Sequence, residues 1–262
     1  MMRVDFNASS NYLSYVQAVN PAQNQFNDIS AESTGGTWSI NSGRLSIART
    51  SDTSSTCGAG ITRWTPLAGS PTALKMSFDL TLSNVTTSYV DLFCVEFGNF
   101  TALADYNGSI SYTPIHNRLL IKSVGAGLYS YAINGVNSAS YSANGASTPV
   151  TYWMNASGAA VNYQTPDGAV RSLGNNQLSL WVGGTNGTLL FNSVAKESGF
   201  AASVINTFRF RMTGPNYTAT IDNLVITGNM MLSAANLPPV AANDSVTVNE
   251  GTAVNVNVLA ND

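Results

Sequence analysis

Residues 208–226, FRFRMTGPNYTATIDNLVI, constrain the fold most. Phe208, Phe210 and Met212 alternate with Arg209 and Arg211, which is the period of a strand with one buried face. Thr213-Gly214-Pro215-Asn216 reads as a turn, so the two halves of the stretch are predicted to pair as an antiparallel hairpin that closes a domain. In the second half Thr218, Thr220 and Asp222 share a parity with Leu224 and Ile226, while Ile221 has the opposite one. An acid therefore stands where an apolar residue is expected. Such a carboxylate is costly unless something pairs with it, and a cation is one candidate.

The same period runs through the chain. Leu74, Met76, Phe78, Leu80 and Leu82 alternate with Lys75, Ser77, Asp79 and Thr81 over residues 73–82. Trp38 and Ile40, a turn at Asn41-Ser42-Gly43, then Leu45 and Ile47 predict a hairpin. Residues 89–97 are apolar on both parities and read as a central strand covered on both faces. Further strands are expected over 118–124, 128–133, 150–155, 159–163 and 178–182, with a turn at Thr165-Pro166-Asp167-Gly168. A short strand at 5–9 opens the chain, with one helical turn in the region that follows. No long window shows helical spacing, so the class is all-β, and a two-sheet antiparallel sandwich fits this many short strands.

Only 10% of the 262 residues are charged and the net charge is −3, with no basic cluster. That removes the electrostatic footprint of a nucleic-acid binder. No apolar run reaches the length of a membrane span, so membrane insertion is not expected. The N-terminus MMRVDFNASS has no apolar signal region. Cys57 and Cys94 could form one bridge, or Cys94 could be a buried thiol within an apolar strand.

DFN near the start, TGGTWSINSGRLSI, ALKMSFDLTL, VEFG and the closing YTATIDNLVITG together resemble a concanavalin A-like jelly roll of the lectin/glucanase type. The resemblance covers most of residues 4–228 and implies a module of a secreted or surface bacterial protein. After the linker Leu237-Pro238-Pro239-Val240, the tail AANDSVTVNEGTAVNVNVLAND resembles the opening of an immunoglobulin-like or cadherin-like tandem repeat. The expected organisation is a sandwich over 1–232, a Pro-containing linker over 233–242 and the start of a repeat over 243–262. The chain thus reads as a piece of a longer extracellular or cell-surface protein with neighbouring domains.

Catalytic signatures are sparse. The hydrolases of that class carry ExDxxE or ExDxE on one strand, whereas the four glutamates here, Glu32, Glu96, Glu197 and Glu250, are scattered. His116 is the single histidine, and with Arg118 and a tyrosine it could form a lyase-type set. Sugar binding has more candidates, because a pyranose stacks its apolar face on an aromatic ring and needs amides for its hydroxyls. Tyr131, Asn134, Trp153, Asn155 and Trp181 are the candidate carbohydrate-binding residues, with Trp181 on the polar parity of its strand. In jelly-roll binding modules a structural calcium ion ties the first strand to the last. The resemblance places such a site at Asp222, with Asp5 and Asn7 supplying oxygen ligands. The sequence thus favours a non-catalytic glycan-binding module. A structural or adhesive domain without a sugar site is the first alternative, and a lyase or hydrolase around His116 the second.

Overall fold

The structure is a computed structural model that describes residues 1–31, 36–49, 59–86, 90–101, 111–125, 127–228 and 251. The chain divides into two compact units, Met1–Met231 and Leu232–Asp262. Apart from Gly251, the expected linker and repeat lie outside the described residues, as does Cys57. Cys94 is a free, buried thiol.

The first unit is an all-β jelly-roll sandwich. Its strands are β1 (Met2–Val4), β2 (Asp28–Ala31), β3 (Thr37–Asn41), β4 (Arg44–Arg49), β5 (Ala59–Arg63), β6 (Ala73–Ser83), β7 (Asp91–Gly98), β8 (Ile115–Gly125) and β9 (Leu128–Ile133). They continue with β10 (Val136–Asn137), β11 (Tyr141–Ser142), β12 (Ser147–Asn155), β13 (Val161–Gln164), β14 (Val170–Leu173), β15 (Gln177–Val182), β16 (Thr188–Ala195), β17 (Thr207–Met212) and β18 (Tyr217–Gly228). The first sheet runs β16-β15-β12-β6-β18-β4-β3, with β1 also on β18; the second runs β10-β9-β8-β7-β17-β5-β2, with β11 also on β9. The hairpin β13–β14 stands as a small sheet of its own. The opening strand is Met2–Val4, earlier than expected, and the helical turn is a 3-10 turn at Tyr12–Tyr15.

The even residues Leu74 to Leu82 of β6 face inward and meet the second sheet, as where the Phe78 and Phe210 rings cross 5.6 Å apart. Burying a Leu, Phe or Met side chain contributes roughly 1.5–3 kcal/mol, so this inner layer holds the sheets together. Hydrogen bonds also cross it: Tyr217 donates its hydroxyl to the Leu92 carbonyl at 2.6 Å, and Tyr152 donates to Asn117 Oδ1 at 3.0 Å. The β3–β4 hairpin turns on Ser42 and Gly43, both at positive φ, as a two-residue hairpin of the primed type requires.

The stretch 208–226 departs from expectation. Its two strands do not pair. β17 lies between β7 and β5 in the second sheet, and β18 lies between β6 and β4 in the first. Thr213-Gly214-Pro215-Asn216 is therefore a crossing between sheets, pinned by the Thr213 and Gly214 amides donating to the Leu92 carbonyl. Both strands have neighbours on each side, which leaves neither an edge for the other.

The misplaced acid also has a structural cause. A bulge shifts the β18 register between Asp222 and Val225, and Asn223 takes φ 49° within it. The extra residue resets the phase, so Ile221 and then Leu224 and Ile226 point inward while Asp222 points out.

Candidate functional site

Two depressions on opposite outer faces of the sandwich contain candidate chemistry. The larger concentration of polar side chains is on the second sheet. On β8 the inner parity is Leu119 and Ile121, which leaves Arg118, Leu120 and Lys122 on the outer face. Ala132 of β9 lies opposite Leu120 on that face, and Asn134-Gly135 forms the tight β9–β10 turn, both residues at positive φ. These residues, with Asp91, Asn137 and Glu197, line a groove of about 270 Å³.

Every ionic group in the groove has a counter-charge. Arg118 donates to both carboxylate oxygens of Glu197, at 3.2 and 3.1 Å, and Lys122 Nζ lies 3.8 Å from Asp91 Oδ1. Lys196 fixes the loop that carries Glu197 by donating to the carbonyls of Phe200 and Ala202, at 2.9 and 3.2 Å. The Arg118 guanidinium also lies against two rings, 5.1 Å from the Phe200 centroid and 5.9 Å from that of Tyr112. Tyr112 is 46% exposed, a large value for an aromatic ring held edge-on against a buried one. Among the described residues it is the exposed aromatic beside the groove, and sequence reasoning missed it. It sits in a loop without periodicity, so only its proximity to Arg118 identifies it.

Next to the groove, the same face buries charge. Glu96 accepts from Arg209 Nε and lies 3.7 Å from Arg211 Nη2, with all three side chains nearly or fully buried. Arg209 also stacks 4.3 Å from the Phe100 centroid. Alternation predicts solvent-facing arginines here; instead β17 is buried on both parities. An unpaired buried charge is expensive, so Glu96 and the arginines are held by one another. Burial, then the neighbouring Glu96 charge, push the Cys94 thiol up to about 12 against the pull of the arginines.

The expected sugar-binding residues do not converge. Tyr131 points into the core, packed with Tyr129 and Tyr141 at 5.6 and 5.4 Å. Asn155 is fully buried; its Nδ2 donates to the Ala159 and Leu173 carbonyls at 2.7 and 2.9 Å, and its Oδ1 accepts from the Ser157 amide. Trp153 and Trp181 do lie on the outer face of the first sheet, as the parity of Trp181 predicts, but the β13–β14 hairpin covers them with Tyr163 and Leu173. Trp181 donates its indole N–H to the Gly184 carbonyl at 3.0 Å. The expectation of an exposed tryptophan platform is corrected by that hairpin. Of the five, Asn134 lines the groove and Trp153 lines the second depression, described below.

His116 is buried, with Nε2 2.9 Å from Asn176 Oδ1 and Nδ1 3.0 Å from Asn117 Nδ2. Burial holds its pKa down at about 4, against the raising effect of the Asn176 bond. The ring is fully buried and both its nitrogens are engaged by asparagines, so it offers no free nitrogen to the alternative lyase-type set with Arg118 and a tyrosine.

Asp222 stands on the outer face at the bulge, 3.6 Å from Arg44 Nε and accepting from the Asn223 amide at 2.8 Å. Asn223 in turn donates to Asp79 at 2.8 Å. Burial, together with the charges of Asp79 and Asp5, raises the Asp222 pKa, while the Asn223 amide and Arg44 oppose the rise. Asn7 packs against Gly43 and leaves no room there for a Cβ. Asp5 and Asp79 thus act on Asp222, yet among the described residues no group of three acidic, His or Cys side chains is close enough to hold a metal ion. Arg44 stands where a cation on Asp222 would have to compete.

No protein-family model matches the chain, and no curated protein matches it at a significant level. Among solved structures, the chain is similar to the catalytic domain of a GH131 β-glucanase from Podospora anserina, with TM-score 0.51 and 11% identity over 86% of this chain and 93% of that one. Lectin II from Ulex europaeus aligns with TM-score 0.44 and 11% identity over 78% and 93% of the two chains. The first of these supports the jelly-roll sandwich fold. No helix among the described residues is long and apolar enough to cross a membrane.

Proposed function

We propose that the first unit is a non-catalytic glycan-binding module and that the groove over β7, β8 and β9 is its binding face. The fold hosts many functions, so the reading rests on the groove. Its ion pairs and the Asn134 and Asn137 amides place donors and acceptors side by side, with Tyr112 exposed at its Arg118 end. Vicinal hydroxyls need that mixture, and an aromatic face accepts the apolar side of a pyranose. Because each charge is paired, the groove suits a neutral polysaccharide. The module would belong to a secreted or cell-surface protein, with a glycan and adjacent domains as partners. A structural calcium ion at Asp222, with Asp5 and Asn7, remains part of the proposal; binding would require Arg44 to swing away.

The burial of Tyr131, Trp153 and Trp181 favours a second reading, a structural or adhesive domain without a sugar site. A screen of neutral plant, algal and microbial polysaccharides against the whole chain separates the two. The binding reading predicts at least one hit that Lys122→Ala and Asn137→Ala weaken without loss of fold. A screen with no hit, or hits indifferent to both substitutions, supports the structural domain. Release of reducing sugar from a hit would overturn the non-catalytic part of the proposal.

A further inference from the structure

We propose that the second depression, on the opposite face from the groove, is a separate site for an anionic sugar, with Lys75 as its cation. It has a volume of about 350 Å³ and lies where the β13–β14 turn overhangs the outer face of β6 and β12. Lys75 and Trp153 are direct cross-strand partners, and Thr151 follows on the same face of β12. Gln164, Thr165 and Pro166 form the opposing wall.

The charge distribution identifies the ligand. Lys75 brings the one ionic side chain among the described residues that line the cleft, and no carboxylate among the described residues forms an ion pair with it. The nearest acid in the overhanging turn, Asp167, is turned back on its own loop. Its Oδ1 accepts from the Thr165 hydroxyl at 2.5 Å and from the Ala169 amide at 3.2 Å. The cleft therefore differs from the groove, where each cation has a partner. An ammonium half-shielded by a sheet face and a hairpin favours an anion, because a low-dielectric wall strengthens the attraction relative to open water.

The remaining lining fits a sugar ring better than a bare ion. The Gln164 amide nitrogen donates to the Gly168 carbonyl at 3.0 Å, which fixes the side chain and turns its carbonyl oxygen into an acceptor for a hydroxyl. The Thr151 hydroxyl both donates and accepts. The Trp153 indole, almost wholly buried and backed by Tyr163 at 4.9 Å between centroids, closes the base of the cleft as a low-dielectric wall and not as a stacking platform. A uronate carboxylate and a sulphate ester on a pyranose share this chemistry.

The test is calorimetric titration of the whole chain with three size-matched probes: an oligogalacturonate, a sulphated galactan oligosaccharide and a neutral galactan oligosaccharide. The expected result is binding of at least one anionic probe, with the neutral probe at least tenfold weaker. Lys75→Met, which keeps the aliphatic stem, should lower anionic affinity at least tenfold, and Gln164→Ala should lower it less. Lys122→Ala and Asn137→Ala in the groove should leave it unchanged. Equal affinity in Lys75→Met, loss confined to the groove variants, or no anionic binding at all would overturn the site. Because the groove reading is tested with neutral glycans and groove substitutions, either proposal can fail while the other stands.

Discussion

The rings of Trp153 and Tyr163 lie 4.9 Å apart at 43°, one on the outer face of a major sheet and the other on the hairpin that covers it. With Leu173 and Trp181 they form a small core separate from the one between the sheets. Removing the roof should expose the tryptophans. Tyr163→Ala is expected to cost about 3 kcal/mol, within the range for truncating a buried ring. It should also shift tryptophan emission to longer wavelength in the folded protein. Unchanged emission would show that the hairpin does not shield Trp153.

The Glu96–Arg209–Arg211 cluster predicts a large effect from a small change. Glu96→Gln keeps the shape but removes the charge that both arginines face. Breaking a buried pair from one side costs about 3–5 kcal/mol, so Tm should fall by on the order of 10 °C in a domain of this size. Thermal unfolding by circular dichroism measures it. A fall of only a degree or two would mean that the cluster is better solvated than its burial indicates.

His116 contributes to the acid limb of the stability curve. Its pKa is lowered from 6.5 to about 4 in the folded state, so the unfolded chain binds a proton first as pH falls. Stability from the neutral, buried ring is fully present above pH 6.5, declines between 6.5 and about 4, and has no further slope from this group below that. The loss across the window is about 3 kcal/mol by the linkage constant. Chemical denaturation at several pH values should show it, and His116→Gln should flatten that part of the curve.

How much of this was legible in the sequence depended on distance along the chain. Period-two patterning located β6, the β3–β4 hairpin and the doubly covered β7, because each signal is local. The outward parity of Trp181 was also legible, but the covering hairpin was not, since nothing local says that residues 161–173 fold back over it. Gly214-Pro215 has the chemistry of a hairpin turn, and only the strands that flank β17 and β18 reveal a crossing between sheets. The phase break at Asp222 was visible as an anomaly; its cause is the bulge at Asn223. The burial of Arg209 depends on a glutamate 113 positions away, and the groove joins four strands to a distant loop. Such associations have no sequence period.

Asp222 tests the calcium proposal with a signed outcome. Its pKa is raised by burial first and then by the charges of Asp79 and Asp5, so its ionised form is disfavoured in the folded state. Without calcium, Asp222→Asn should therefore leave Tm unchanged or slightly higher. If the ion binds, millimolar calcium raises the wild-type Tm by several degrees through mass action, EDTA reverses the rise, and Asp222→Asn abolishes it. A wild-type Tm indifferent to both calcium and EDTA removes calcium from the account.

The central claim is that the β7–β9 groove holds a glycan with Tyr112 at one end. It is tested most directly by titrating the best neutral polysaccharide from the screen into the wild type and into Tyr112→Ala. The ring is exposed and outside the core, so the variant should keep the wild-type Tm. Loss of one ring-stacking contact is worth about 1 kcal/mol, and the account predicts affinity reduced roughly fivefold, with Trp181→Phe unchanged. Full affinity in Tyr112→Ala, with loss in Trp181→Phe instead, would contradict it.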